Sequence, residues 1–91
     1  MKSVWKFEVE NNLRQEIQMP KGAKILHLGV KNDAPYLWAE VDMDAPSEFR
    51  TFEVFATGGN ITQDMGIERE YIGTYMIFRE TLVFHVYERI N

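Results

Sequence analysis

A chain of 91 residues is long enough for one hydrophobic core, because two cores of half this size would each bury too little surface to fold. Hydrophobic residues make up 45% of the chain and cysteine is absent, which excludes disulfides, thiolate metal sites and a thiol nucleophile. The net charge of −4 argues against binding a DNA duplex through its phosphates, since that mode needs clustered Lys and Arg.

Short segments in which apolar and polar residues alternate dominate the sequence, and turn residues separate them. This alternation is typical of antiparallel strands. The segments lie at residues 4–9, 16–19, 23–31, 36–42, 49–57, 71–78 and 82–88. With about seven short strands, the pattern predicts one all-β domain over 1–91, either an antiparallel sandwich or a small barrel.

Turn residues indicate how consecutive strands are joined. The asparagines at 11–12 predict a turn, and the Pro-Lys-Gly sequence at 20–22 predicts a hairpin between the second and third strands. The Asn-Asp pair at 32–33 predicts a hairpin between the third and fourth strands. Residues 61–67 could form a loop or one short helical turn. Residues 79–81 join the last two strands into a C-terminal hairpin.

No part of the chain has the composition of a membrane span. The longest apolar runs fall far short of the roughly 20 residues that a membrane helix requires. We therefore expect no membrane partner and a cytoplasmic location.

Aromatic residues are arranged so that they share a second face of the predicted sheets. In residues 36–42 the small apolar face is aliphatic, so Tyr36 and Trp38 point the other way. The same parity in other strands predicts that Phe55, Tyr75, and Tyr87 with the neighbouring His85, belong to this second face. Such rings could pack between two sheets, form a homo-oligomer interface, or provide a platform for a ligand.

Residue types that carry catalysis are sparse. His27 and His85 could hold a metal ion only if they converged with a carboxylate such as Glu40 or Glu88. Each histidine stands alone in an alternating strand, where a hydrogen-bonded histidine is the simpler interpretation. The two serines lack the context of a nucleophile turn. We expect no catalytic site, no metal and no cofactor.

Six stretches of sequence carry a resemblance to a known family. They are MPKGAKIL at 19–26, LWAEVDMDAP at 37–46, RTF at 50–52, FATG at 55–58, YIGT at 71–74 and VFHVYE at 83–88. In this order they resemble a family of small uncharacterised proteins encoded by tailed bacteriophages. The resemblance implies a phage accessory protein in the host cytoplasm, and by analogy one that blocks host defence.

The resemblance and the missing catalytic groups together predict a non-enzymatic, homo-oligomeric phage protein that counteracts antiviral defence. It would bind and sequester a nucleotide immune signal or an immune component. In the nucleotide version, aromatic rings stack on the base, and Arg50, Lys24 or Thr57 meets phosphate. A protein–protein module that inhibits a host enzyme and a small metal-dependent hydrolase are the alternatives. The candidate binding residues are Tyr36, Trp38, Arg50, Phe55, Thr57, Tyr75, His85 and Tyr87.

Overall fold

The computed structural model describes residues 1–11, 13–61 and 66–90, which form seven strands and, within those ranges, no helix. None of the described residues therefore belongs to a helix that could span a bilayer. The strands are β1 (Lys2–Glu8), β2 (Arg14–Pro20), β3 (Lys24–Lys31), β4 (Ala34–Asp42), β5 (Ser47–Ala56), β6 (Arg69–Ile77) and β7 (Leu82–Arg89). All seven predicted strands are confirmed, with small shifts at their ends.

The strands form two separate antiparallel sheets that pack face to face. One sheet has three strands in the order β1-β4-β3, and the other has four in the order β2-β5-β7-β6. The Cα positions span 41 × 36 × 15 Å, a thickness that suits two layers of sheet. Of the two predicted architectures, the sandwich is therefore the one observed. The predicted helical turn at 61–67 falls mainly on 62–65, and the turn at 11–12 includes residue 12; those positions lie outside the described residues.

Two predicted hairpins are confirmed, and each turns through backbone with positive φ. Asn32 and Asp33, between β3 and β4, have φ values of 53° and 60°. Positive φ at both central residues gives a two-residue turn whose twist matches that of the flanking strands. Phe78, Arg79 and Glu80 have φ values of 52°, 57° and 66° between β6 and β7. Asn and Asp adopt this conformation readily, whereas Phe, Arg and Glu do so at a cost.

The predicted hairpin between β2 and β3 is wrong. The turn after Pro20 does reverse the chain, with φ of 80° at Gly22 and the Ala23 N–H donating to the Pro20 carbonyl over 3.1 Å. However, β2 pairs with β5 in the four-stranded sheet, while β3 pairs with β4 in the other. A Pro-x-Gly signal specifies a local reversal and carries no information about which strands then pair.

The core lies between the two sheets and is built from the inward residues of each strand. Leu37, Ala39 and Val41 of β4 face it from the three-stranded sheet, as their alternation predicts. The largest fully buried side chains are Phe52, Met19, Leu37, Ile77, Val9, Val41 and Val86. Burial of each such side chain stabilises the fold by roughly 1.5–3 kcal/mol before the entropy of ordering it is subtracted.

Two β-bulges change which face the following residues occupy. In β3 the register shifts between Ile25 and His27, so Ile25 packs on the core while His27 faces outward. In β6 the register shifts between Tyr71 and Gly73, so Tyr71 faces outward while Tyr75 faces the core. An extra residue inserted into one strand breaks the simple alternation from that point on.

Candidate binding surfaces

Three aromatic rings and a lysine, from three strands, form a surface on the outer face of the three-stranded sheet. Trp38 of β4 pairs with Lys6 of β1 on one side and with His27 of β3 on the other. The ring centroids of Trp38 lie 5.8 Å from His27 and 6.0 Å from Tyr36. We refer to His27, Tyr36, Trp38 and Lys6 as the Trp38 surface. Because Trp38 and Tyr36 alternate with buried β4 residues, they face away from the second sheet and stay partly exposed.

Gly29 allows the rings of the Trp38 surface to lie close to the sheet. It pairs with Tyr36 across the β3–β4 ladder. A Cβ atom at this position would stand 3.1 Å from both His27 Nε2 and Trp38 Cζ3. The two rings therefore occupy the space that a larger residue would fill.

Charged side chains of both signs surround these rings. The Lys6 ammonium lies 4.5 Å from the Tyr36 ring centroid, a cation–π contact that covers one face of that ring. Glu8 pairs with Tyr36, and Lys24 pairs with Glu40 on the same outer face. The surface thus combines an apolar centre with a mixed-charge border, which is the composition of many protein interfaces.

A hydrogen-bond chain occupies the outer face of the four-stranded sheet. His85 Nε2 lies 2.7 Å from Thr57 Oγ1, and His85 Nδ1 lies 2.9 Å from Thr74 Oγ1. Thr74 is bonded in turn to the Tyr71 hydroxyl. We call these four residues the His85 network. A Ser-His-Asp site needs a carboxylate on the second ring nitrogen to stabilise an imidazolium, and a neutral threonine stands there instead.

Beside this network, the rings of Phe55, Tyr71 and Tyr87 pack together with the Arg69–Glu53 ion pair. Tyr87 packs edge to face on Phe55 at 5.8 Å and on Tyr71 at 5.4 Å. Arg69 donates to Glu53 over 2.7 Å and lies 5.8 Å from the Phe55 ring centroid. Although Phe55 is on the outward side of β5, it is only 4% exposed. A ligand could not stack on it without displacing these neighbours.

A groove of about 410 Å³ lies where β3 and β6 meet, between the edges of the two sheets. Arg50 and Glu88 line it together with His27 and Tyr71. Arg50 donates to both Glu88 carboxylate oxygens, over 2.6 and 2.8 Å, and also to the Ala23 carbonyl. The hydrogen bonds to Glu88 raise the pKa of Arg50 above its ordinary value. The Arg50 guanidinium therefore already has hydrogen-bond partners within the protein.

The structure divides the predicted aromatic belt between two opposite faces and the core. Tyr36 and Trp38 lie on one outer face, whereas Phe55, Thr57, His85 and Tyr87 lie on the other. Tyr75 is 3% exposed, and its ring stacks on Phe84 inside the sandwich. Its predicted outward direction is wrong because the bulge in β6 reverses the parity between Tyr71 and Tyr75.

The metal alternative required His27 and His85 to converge, and the structure separates them. His27 faces outward from the three-stranded sheet and His85 from the four-stranded sheet. Within residues 1–11, 13–61 and 66–90, no group of three or more His, Asp or Glu side chains has the arrangement of a metal site.

Sequence reasoning missed several members of these surfaces. Lys6 and His27 belong to the Trp38 surface because of cross-strand pairing, which no single strand reveals. Tyr71 and Thr74 belong to the His85 network and lie on the same outer face because of the bulge between them. Strict alternation would place two residues that are three positions apart on opposite faces. The pairing of the last hairpin is the one signal that could have placed them opposite Tyr87 and His85.

Comparison with protein families gives a match over the whole chain. The family described as "Domain of unknown function (DUF7352)" matches residues 1–91. The chain belongs to this family. No curated protein and no solved structure matches the chain significantly. The description of the DUF7352 family names no activity.

Proposed function

We propose that this protein is a non-enzymatic phage accessory protein that counteracts host defence by binding a protein component of host immunity through the Trp38 surface. The observation that carries the proposal is the position of Trp38 and Tyr36. Both rings stand on an outer face, half-buried, while the core beneath is complete without them. The sequence resemblance to phage proteins supplies the biological setting.

The energetics of exposed rings support a binding role. Partly exposed Trp and Tyr side chains that are held rigidly lose little entropy on binding, and they are enriched among residues that dominate interface energies. His27 on the neighbouring strand β3 and Tyr36, two residues away along β4, lie beside Trp38 at centroid distances of 5.8 and 6.0 Å. A partner would therefore meet a preformed surface.

The same geometry favours a protein over a nucleotide as the occupant. Nucleotide binding needs a ring face open for stacking and a cation free to meet phosphate. Lys6 covers one face of Tyr36, Phe55 is buried, and Arg50 is paired with Glu88. A mixed-charge border around an apolar centre suits a protein surface better than a phosphate group.

Substitution of Trp38 tests the proposal. Wild type and Trp38→Ala are each expressed in hosts that carry a single defence system, and the ability of each to restore phage plating is compared. The host protein that the wild type captures from the responsive host is then purified, and its affinity for both proteins is measured by titration. We expect Trp38→Ala to bind it at least about 30-fold more weakly, the loss typical of a central interface residue. Because Trp38 lies outside the core cluster, thermal unfolding should change little.

Phe49→Ala is the matched control, since Phe49 is 66% exposed on the outer face of the other sheet. It should bind and protect phage as the wild type does. Equal binding by Trp38→Ala would overturn the proposal. Calorimetric binding of a cyclic dinucleotide or a cyclic ADP-ribose isomer, in place of a protein, would show that a nucleotide is sequestered instead.

A further inference from the structure

The β1 strand forms one edge of the three-stranded sheet, and among residues 1–11, 13–61 and 66–90 it pairs with β4 alone. Its backbone bonds to β4 through the odd-numbered residues. At the two ends of the ladder, the Val9 N–H donates to the Pro35 carbonyl and the Met43 N–H donates to the Met1 carbonyl. Hydrogen-bonded pairs alternate along an antiparallel ladder. The N–H and C=O groups of Lys2, Val4, Lys6 and Glu8 therefore point away from β4, along an open edge.

The edge has few of the features that block pairing with another strand. It runs for seven residues without proline or an irregularity in its register. Proteins usually protect such an edge by a bulge, a proline or unmatched charge. Lys2, Lys6 and Glu8 are exposed charges, so whether the edge repels another strand depends on what lies opposite them.

We propose that β1 pairs antiparallel with β1 of a second copy of this chain, about a two-fold axis at Trp5. In this register Lys2 lies opposite Glu8 of the second copy, twice by symmetry, and Val4 lies opposite Lys6. All of these residues have outward-pointing backbone groups, so each pair can form both hydrogen bonds of the ladder. The inference concerns assembly and does not depend on the proposed function.

Charge and strand overlap together select this register among those that the backbone allows. An axis at Val4 places Lys2 opposite Lys6, and an axis at Lys6 places two Lys6 side chains opposite each other. Both arrangements bring like charges together across the strands, which destabilises a ladder. Axes between two residues fail because they align outward backbone groups with groups already bonded to β4. An axis at Phe7 also pairs opposite charges, Lys6 with Glu8, but it overlaps only residues 6–8 of each strand, and an axis at Ser3 overlaps only residues 2–4. The axis at Trp5 pairs β1 over its whole length and joins Lys2 to Glu8.

The same arrangement would also shield the Trp5 side chain from solvent. This side chain lies on the inward side of β1 beside Phe7, with ring centroids 6.4 Å apart, yet it is 40% exposed at the sheet edge. Across the axis it would face Trp5 of the second copy in a non-hydrogen-bonded pair, where side chains approach most closely. The dimer would thus remove a large exposed ring from water.

A charge-swap series tests the register, using the full chain in sedimentation equilibrium over a range of concentrations. The wild type should approach twice the chain mass of 10.7 kDa. Lys2→Glu and Glu8→Lys should each raise the dissociation constant about tenfold or more, because each places like charges together at both symmetric positions. The double variant should restore the wild-type constant. Lys31→Glu, which changes an exposed lysine at the end of β3, should leave it unchanged.

Val4→Pro provides a second test that does not depend on charge. It removes an outward N–H and leaves the bonds to β4 in place, so the monomer should stay folded by circular dichroism while the dimer is lost. A chain that stays monomeric at every concentration would overturn the proposal. So would a dimer that survives Val4→Pro, or single charge variants that assemble as the wild type does.

Discussion

Tyr75 shows how a single buried hydroxyl makes stability depend on pH. Its ring stacks on Phe84 with centroids 5.4 Å apart, and its hydroxyl donates to the Asn11 side chain. Burial raises the pKa of Tyr75 from 10.0 to about 12. The unfolded chain therefore ionises this phenol at a lower pH than the folded protein does. Its contribution to stability is complete below pH 10 and is lost as pH rises towards 12.

We predict that Tyr75→Phe reduces the alkaline loss of stability. The variant should be less stable near neutral pH by about 1 kcal/mol, since it lacks the hydrogen bond to Asn11. Between pH 10 and about 12, however, its free energy of unfolding should fall less steeply than that of the wild type. Urea unfolding at a series of pH values measures both effects. Parallel pH profiles for the two proteins would show that Tyr75 does not cause the alkaline loss.

At the level of the element, the turn between β6 and β7 stores unfavourable backbone conformation. Phe78, Arg79 and Glu80 all have positive φ, although none of them is glycine or asparagine. The turn is held by Thr81, whose N–H and hydroxyl both donate to the Phe78 carbonyl, over 3.2 and 2.6 Å. Side chains in the left-handed region cost roughly 1–2 kcal/mol each, which the pairing of β6 with β7 must offset.

We predict that Arg79→Gly stabilises the protein by about 0.5–1 kcal/mol. Glycine relieves the left-handed strain at φ of 57°, and this gain exceeds the entropy that glycine adds to the unfolded chain. Lys21→Gly is the matched control in a turn residue without positive φ, and it should be neutral or destabilising. Chemical unfolding measures all three proteins. Equal destabilisation by both glycines would show that the turn is unstrained.

Sequence patterns predicted the strands well because alternation and turn chemistry are local properties. Alternation located all seven strands, and the Asn32-Asp33 pair predicted a hairpin that the structure contains. The partner of β2 could not be read from its own residues, since pairing with β5 depends on the assembled core. The bulges beside His27 and Tyr71 were equally hidden, because one extra residue in a strand leaves no compositional mark. The bulge in β6 explains why Tyr75 was predicted on the wrong face. The assignment of β4 to one sheet, and of β5 and β7 to the other, explains why the remaining rings of the predicted aromatic belt are divided between two faces.

Over the whole molecule, Arg50 links the two sheets at one end of the sandwich. It stands on β5 and bonds Glu88 of the neighbouring β7, and it also donates to the Ala23 carbonyl, just before β3 of the other sheet. The Arg50 and Glu88 side chains are 18% and 9% exposed. Paired charges at this depth contribute little net energy, but an unpaired one is costly.

We predict that Arg50→Met destabilises the protein by about 2–4 kcal/mol, because it leaves the Glu88 carboxylate buried without a partner. The double variant Arg50→Met with Glu88→Leu should recover most of this loss, since no uncompensated charge remains. Urea unfolding of the single and double variants gives the comparison. If the double variant is as unstable as Arg50→Met, the bond to Ala23 matters more than the charge on Glu88.

The close approach at Gly29 makes the outline of the Trp38 surface adjustable at a single position. A methyl group there would meet His27 and Trp38 at 3.1 Å, so both rings would have to rise from the sheet or turn aside. Gly29 is outside the core cluster, and the layer of Leu37 and Val41 would not be disturbed. The shape of the Trp38 surface and the packing of the interior can therefore vary independently. A protein under pressure to follow a changing partner could remodel one without weakening the other.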